Sequence, residues 1–196
     1  MTLLTSTAWP DGTPPQGELD VLRRAAEDAH GSVEAALDVA RGAVDRAGLL
    51  TTRRAGGYLA SLGAIAAGDV TVARVVEPHL DALGILAQAG ESPDPATTWG
   101  VFAAEAPGAT LTAVPHGEEW RLDGRKPWCS LAGRLDRALV TAHVPSGERR
   151  LFRIDLTGPG VAVDPAWAAR GMPLVPSGPV DLDAVPARAV GEEGWY

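Results

Sequence analysis

A change of sequence pattern near Glu91 constrains the fold of this chain more than any other feature. Before it, apolar residues recur at helical spacing from Leu19 to Ala89; after it, short β-favouring runs alternate with proline and glycine. Helices first and strands second predict an α+β arrangement. We therefore expect an N-terminal α-helical bundle followed by an antiparallel β-barrel or sandwich domain.

The predicted domain boundaries follow from the same pattern. Residues 1–17 are expected to form an extended arm, residues 18–90 a helical domain and residues 97–196 a β-barrel domain. In the helical part, Asp69 is the predicted N-cap of a helix whose interior contains Pro78. Because proline removes an amide donor, that helix is expected to kink or restart near Glu77. Strands are predicted over residues 98–103, 110–114, 119–122, 138–144, 150–155, 161–163 and 179–183.

Composition excludes several classes of protein. A net charge of −8 with scattered basic residues argues against a nucleic-acid partner. The one cysteine, Cys129, excludes an internal disulfide, and no apolar window is long enough to span a membrane. No secretory signal pattern opens the chain, so a cytoplasmic location is expected. The sequence has no phosphate-binding glycine loop, no nucleophile elbow, and no His or Cys pair at metal-ligand spacing.

The Trp128-Cys129-Ser130 triplet is the strongest candidate for chemistry. It lies between two predicted strands, after an Asp123-Gly124 turn signal, in a segment too irregular for a helix. A hydroxyl beside a large aromatic ring can present a hydrogen bond and a stacking surface to a flat ligand. The alternative is structural, because such a tryptophan commonly packs as core or cover and such a serine commonly belongs to a turn.

Two segments resemble the acyl-CoA dehydrogenase family. Gly124 to Ser130 matches the family pattern G-x-K-x-W-x-[ST] and is followed by a Leu-Val-Thr-Ala strand. Further on, Gly171-Met172 and the stretch from Ser177 to Pro186 resemble the family's G-M-R-x-T-x-S segment and its next strand. Two matches in the family's order make the resemblance specific, and it covers the family's first two domains.

The resemblance implies an FAD site. Ser130 would donate to N5 or O4 of the flavin and Trp128 would lie along the ring, with Cys129 between them. A second cofactor segment would include Ala104, Glu105 and Thr110.

By the same resemblance, Gly108 and Ser177 would contact substrate. Three positions depart from the family pattern: Ala104 lacks the usual hydroxyl, Pro173 replaces an arginine and Val175 replaces a threonine. These changes remove donors.

The implied function is FAD-dependent α,β-dehydrogenation of an acyl-CoA thioester. In the family, the carboxylate that abstracts the α-proton lies in a further helical bundle, so no catalytic residue is assigned here, and this chain is expected to be truncated and inactive alone. Two alternatives stay open: a non-catalytic flavin- or acyl-binding partner subunit, and a component of a two-component flavin hydroxylase.

Without that further helical bundle, apolar surface on the helical part of this chain should be exposed. We expect Val72, Val76, Leu83 and Leu86 to form an uncovered stripe. The predicted partners are therefore a second copy of the chain, or a chain that carries the bundle.

Overall fold

The computed structural model of the protein describes residues 14–47, 55–94 and 96–196. Its elements fall into two compact units, Met1–Thr98 and Trp99–Tyr196, the first helical and the second built of strands. This succession confirms the predicted α+β fold class. Residues 1–13 of the predicted arm lie outside the described residues, while Gln16 and Gly17 already belong to the first helix.

The described part of the helical unit contains four helices. They are α1 Gln16–Asp28, α2 Val33–Ala47, α3 Ala55–Gly68 and α4 Val70–Gln88. α1 packs on α3, and α4 packs on both α2 and α3. α1 and α3 come close at Gly68, where a β-carbon would lie 2.3 Å from the carbonyl oxygen of Arg23. Within the described ranges, no helix combines the length and apolar character that crossing a bilayer requires.

Helix α4 begins where the sequence predicts. The Asp69 carboxylate accepts hydrogen bonds from the backbone N–H groups of Thr71, at 2.7 Å, and Val72, at 2.9 Å, which makes it the N-cap. The helix then runs unbroken through Pro78, so it does not restart near Glu77, and a kink there stays a prediction. Buried apolar residues on both sides of the proline stabilise the helix by more than the one backbone hydrogen bond that proline removes.

The apolar stripe of α4 is covered, contrary to the expectation from the sequence. Val72, Val76, Leu83 and Leu86 each expose no more than 2% of their surface. Burying a side chain of this size contributes roughly 1.5–3 kcal/mol, so the stripe is core. The surface that was expected to attract a partner or a second copy is therefore not available on α4.

The β unit is a barrel-like sheet of seven strands. They are β1 Trp99–Phe102, β2 Leu111–His116, β3 Glu119–Lys126, β4 Arg137–His143, β5 Arg149–Asp155, β6 Val161–Val163 and β7 Val180–Val190. The strand order is β1-β4-β2-β3-β7-β5, and β4 also pairs with β5, which closes the ring; β6 pairs with β7. Buried residues such as Leu122, Leu139 and Phe152 fill the interior.

The sheet is mixed, not wholly antiparallel as predicted. β1 runs parallel to β4, with Trp99 opposite Arg137, and β2 meets β4 in parallel at Thr112 and His143. A parallel pair needs a long connection, which the β2–β3 hairpin and the loop after it supply between β1 and β4. Alternation of apolar residues along a strand carries no information on the direction of its neighbour.

Strand β3 continues past the point where the sequence predicted its end, Leu122, and reaches Lys126. The register against β7 shifts between Leu122 and Gly124. Gly124 has a φ of +124°, and a β-carbon there would lie 2.2 Å from the carbonyl oxygen of Thr110. The Asp123-Gly124 pair is thus a β-bulge within one strand and not a turn, and it carries Lys126 into the sheet.

Candidate functional site

The loop of residues 127–136, between β3 and β4, carries the Trp-Cys-Ser triplet. Trp128 exposes 55% of its surface, whereas Cys129 is buried and its thiol donates to the carbonyl oxygen of Lys126 at 3.3 Å. Burial raises the pKa of the Cys129 thiol to about 12, so the thiol stays protonated and unreactive. Cys129 anchors the loop and Trp128 is presented to solvent.

A second loop, residues 164–179 before β7, is bonded to the first. The backbone N–H of Cys129 donates to the carbonyl oxygen of Gly178 at 2.9 Å, and that of Leu131 donates to Pro176 at 2.7 Å. Between these bonds, the hydroxyls of Ser130 and Ser177 lie 2.8 Å apart. The two segments that resemble the family are therefore joined residue by residue, and we call residues 127–136 and 164–179 the loop pair.

The hydroxyl pair can reverse its direction. Ser177 has a second acceptor, the carbonyl oxygen of Val175, 3.2 Å from its Oγ. When Ser177 donates there, Ser130 can donate to Ser177; when Ser177 donates to Ser130, the Ser130 proton can point elsewhere. A hydroxyl that changes between donor and acceptor suits a ligand that has both kinds of ring atom.

Three bulky residues of the loop pair adopt left-handed backbone conformations. φ is 54° at Trp128, 59° at Leu131 and 48° at Met172; among the described residues, Ala184 is the other non-glycine with a positive φ. Each such residue costs on the order of 1 kcal/mol. Strain of this kind persists where the surrounding hydrogen bonds hold it, and it is typical of ligand-binding loops.

The other predicted segment follows β1. Ala104, Glu105, Gly108 and Thr110 are all exposed. Gly108, with a φ of +78°, lies in a tight turn that is closed by the bond from the N–H of Ala109 to the carbonyl oxygen of Ala106, at 3.0 Å. The segment is therefore a short ordered turn with its side chains in solvent.

Side chains from two strands hold the Glu105 carboxylate. His143 Nε2 lies 3.1 Å and Arg149 Nε 3.3 Å from its Oε1. The carbonyl oxygen of Thr110 accepts a bond from the N–H of Arg125 at 3.0 Å, which ties the end of the segment to β3 beside the bulge. The imidazole of His143 and the guanidinium of Arg149 thus keep the Glu105 side chain in place.

Lys126, at the end of β3, is buried with its charged group. Its Nζ donates to the carbonyl oxygen of Thr141 at 2.7 Å and to the Thr141 hydroxyl at 2.8 Å. Burial, and then the nearby Arg149 guanidinium, lower the pKa of Lys126 from 10.5 to about 8, against opposing effects of Glu105 and Cys129. Both protonation states of this amine are therefore populated near pH 8.

Sequence reasoning did not single out Lys126, Thr141, His143 and Arg149. A signal was available, because Lys126 is the single lysine among 17 lysine and arginine residues. The other three positions carry no such mark, since they read as ordinary strand residues and only the register of the sheet brings them to Glu105 and Lys126.

Helices followed by a barrel-like sheet are the arrangement of the acyl-CoA dehydrogenase fold. Solved structures with this fold are similar to the chain. One is FMN-bound TdsC, a dibenzothiophene monooxygenase from a Paenibacillus species, at 22% identity and a TM-score of 0.71, over 91% of this chain and 54% of that one. Another is a probable acyl-CoA dehydrogenase from Mycobacterium abscessus, at 19% identity and a TM-score of 0.71, over 93% of this chain and 60% of that one.

A nitrososynthase from Micromonospora carbonacea is also similar, at 19% identity and a TM-score of 0.67, over 100% of this chain and 60% of that one. The chain spans between 54% and 60% of the length of these three structures. No protein-family model and no curated protein sequence matches it. The resemblance seen in the sequence is thus confirmed at the level of the fold.

Proposed function

We propose that the β unit binds the isoalloxazine ring of a flavin at the loop pair. The observation that carries this proposal is the joining of two segments distant in sequence by the Ser130–Ser177 hydroxyl pair, in a loop whose Trp128 ring is exposed two positions before Ser130. A flavin needs an apolar or aromatic cover and a few hydrogen-bonding groups along one edge, and it supplies the redox chemistry itself. The residues present fit that requirement.

The chain's own contribution is binding and orientation. Trp128 would cover the ring, and the Ser130–Ser177 pair would serve either a donor or an acceptor on the ring's polar edge. The exposed segment that contains Glu105 and Thr110 would lie along the cofactor, as the resemblance implies. FAD is the cofactor that the resemblance implies, while similar structures such as TdsC hold FMN, so both flavins are candidates.

The proposed reaction is an oxidation of the acyl-CoA dehydrogenase type, with an acyl-CoA thioester as substrate. A flavin monooxygenase is the second candidate, favoured by the similarity of the fold to TdsC and to the nitrososynthase. Val175, at the family's threonine position, is buried and offers the ligand no side-chain donor, which departs from the dehydrogenase pattern. Association with a partner chain or with a second copy of this chain is also proposed. The buried apolar stripe of α4 does not support it.

Titration of the full chain with FMN and with FAD, followed by visible absorbance, tests flavin binding. We expect saturable binding with a shifted flavin spectrum. Ser130→Ala should weaken binding by about 0.5–1.5 kcal/mol, or roughly 2- to 10-fold. Ser146→Ala is the matched control, because Ser146 lies in the β4–β5 turn and bonds to Glu193. Equal affinities of the wild type and Ser130→Ala would remove Ser130 from the site.

The reaction class is tested on the flavin-loaded protein. Bleaching of the flavin by an acyl-CoA under anaerobic conditions supports the dehydrogenase. Rapid oxygen consumption by the reduced protein, with stoichiometric oxygenation of an added aromatic or amine substrate, supports the monooxygenase. A protein that binds flavin and does neither is the result expected of a dehydrogenase-type chain that lacks its catalytic base, and also of the partner-subunit alternative.

A further inference from the structure

We propose that Lys126 is a positioning residue of the proposed flavin site: its ammonium group holds the loop pair and residues 103–110 in the arrangement that binds the ring, which links flavin binding to the protonation of Lys126. The inference rests on the proposed function. Lys126 is the single lysine of the chain, and it is 3% exposed.

The first step is the anchoring of the Trp128 loop. Lys126 is the last residue of β3, two positions before Trp128. Its Nζ bonds to both the carbonyl oxygen and the hydroxyl of Thr141, in the middle of β4. The carbonyl oxygen of Lys126 in turn accepts the Cys129 thiol. The start of the loop is therefore held from both the side chain and the backbone of one residue.

The second step is the attachment of the other segment to the same point. The Thr141 hydroxyl lies 3.3 Å from the carbonyl oxygen of Ala103. Arg149 donates to that carbonyl oxygen at 2.9 Å and to the Thr141 hydroxyl at 3.0 Å. Ala103 directly precedes Ala104 and Glu105, so Thr141 is the point at which both predicted cofactor segments meet.

The geometry at Thr141 suits the amine of Lys126 better than the guanidinium that the other 16 of the 17 lysine and arginine residues carry. A guanidinium presents five donors in a planar fork, whereas the two acceptors here belong to one residue and suit a compact ammonium. The titratable groups that face the amine are the Arg149 guanidinium from β5, the Glu105 carboxylate and the neutral Cys129 thiol, and His143 of β4 contacts Glu105. Neutralising the amine leaves one donor fewer and removes the attraction to Glu105.

Thermodynamic reciprocity makes the proposal measurable. If the ammonium form holds the binding arrangement, flavin affinity falls as the pH rises through the pKa of Lys126, which is about 8 in the free protein. By the same coupling, bound flavin must raise that pKa. A merely structural lysine would affect stability and would leave both quantities unchanged.

The single lysine permits a direct measurement. This chain made with ¹³C-lysine should give one Cε–Hε resonance, whose chemical shift is followed against pH with and without FMN. We expect its pKa to rise when FMN is bound. An identical titration curve in free and FMN-saturated protein would overturn the linkage.

Variants separate charge from packing. Lys126→Met keeps the length and loses the charge, and it should weaken FMN binding roughly ten-fold at neutral pH and abolish the pH dependence near pH 8. Lys126→Arg keeps a charge that does not titrate, so any FMN affinity that it retains should not vary with pH in this range. Arg121→Met removes a cation from the same strand and is the matched control, expected to bind FMN as the wild type does.

The outcomes distinguish this inference from the proposed function. Wild-type affinity and pH profile in Lys126→Met would overturn the inference and leave flavin binding intact. Failure of the wild type to bind FMN or FAD would overturn both. If Lys126→Met does not fold, Thr141→Val removes the shared hydroxyl and nearly preserves volume; unchanged FMN affinity in that variant would also overturn the positioning role.

Discussion

The two units of the protein bury their polar groups in different ways. In the helical unit, the hydroxyl of the buried Tyr58 donates to Asp81, and burial followed by the nearby carboxylates keeps the pKa of Tyr58 well above its usual value. A neutral donor is thus satisfied by a single partner. In the β unit, the buried polar groups include a charge, the ammonium of Lys126, which lies close in sequence to the strained backbone of Trp128 and Leu131.

This difference shows which unit contains residues in energetically unfavourable states. Among the described residues, the positive-φ non-glycine positions all belong to the β unit, whereas the helical unit reaches positive φ at Gly31 and Gly90, next to its helix ends. Burying a charge and holding a tryptophan in a left-handed conformation both cost stability. Such costs concentrate at functional sites, which supports the proposal that the loop pair binds the flavin.

The largest expected effect concerns the core of the helical unit. Leu83→Ala should lower the free energy of unfolding by about 2–5 kcal/mol, because Leu83 is fully buried in α4 and the change leaves a cavity. Chemical denaturation followed by far-ultraviolet circular dichroism measures it. Leu59→Ala, at a residue 62% exposed, is the control, with an expected change within about 0.5 kcal/mol. Equal effects of the two substitutions would contradict the assignment of α4 as core.

The second-largest effect is expected in the β unit, where the charge of Lys126 should make the stability of the protein depend on pH. Its pKa is lowered on folding from 10.5 to about 8, so the folded state binds fewer protons than the unfolded state within this window. The stability of the wild type relative to Lys126→Met should therefore rise with pH, by on the order of 3 kcal/mol, with the full penalty below pH 8 and none above pH 10.5.

Tryptophan fluorescence during denaturation measures this difference, because the described tryptophans all lie in the β unit. Taking the difference between the two proteins removes the contribution of titrating groups that do not interact with Lys126. A difference that does not change with pH would show that Lys126 is not desolvated.

A smaller effect is expected at the start of α4. Asp69→Ala should cost about 1 kcal/mol, because the N–H groups of Thr71 and Val72 lose their acceptor. The bond to His30, followed by that from the Val72 N–H, lowers the pKa of Asp69, so its contribution is present above the ordinary carboxyl pKa and is lost as the pH falls below it.

Denaturation at neutral and acidic pH, followed by circular dichroism, checks the role of Asp69. Asp38→Ala is the control, because the exposed Asp38 pairs with Arg41 on the surface of α2. A loss of stability by Asp38→Ala as large as that by Asp69→Ala would contradict the capping role.

The smallest effect on stability is expected at Trp128. Trp128→Gly should change the free energy of unfolding by less than about 1 kcal/mol, because relief of the left-handed strain offsets the entropy that glycine adds to the unfolded chain. Trp128→Val loses the same ring but cannot easily adopt the φ of 54°, so it should be the less stable of the two. Both should lose FMN affinity. Flavin binding that survives in Trp128→Gly would place the ring elsewhere.

Local pattern was sufficient for much of the fold. Helix and strand positions follow from periodicity, and the Asp69 N-cap follows from a short polar side chain that begins an apolar repeat. The Trp128-Cys129-Ser130 segment was recognised as a loop for the same reason, since its residues fit neither period. All of these depend on residues within a few positions of one another, and that information is present in the linear chain.

Tertiary structure alone decided what those elements do to each other. The pairing of Ser130 with Ser177, the meeting of Lys126, Arg149 and Ala103 at Thr141, and the parallel course of β1 and β4 each join residues far apart in sequence. The cover over the α4 stripe belongs to the same class. Such contacts are set by strand register and packing, which depend on the whole chain at once. A local sequence pattern therefore does not predict them.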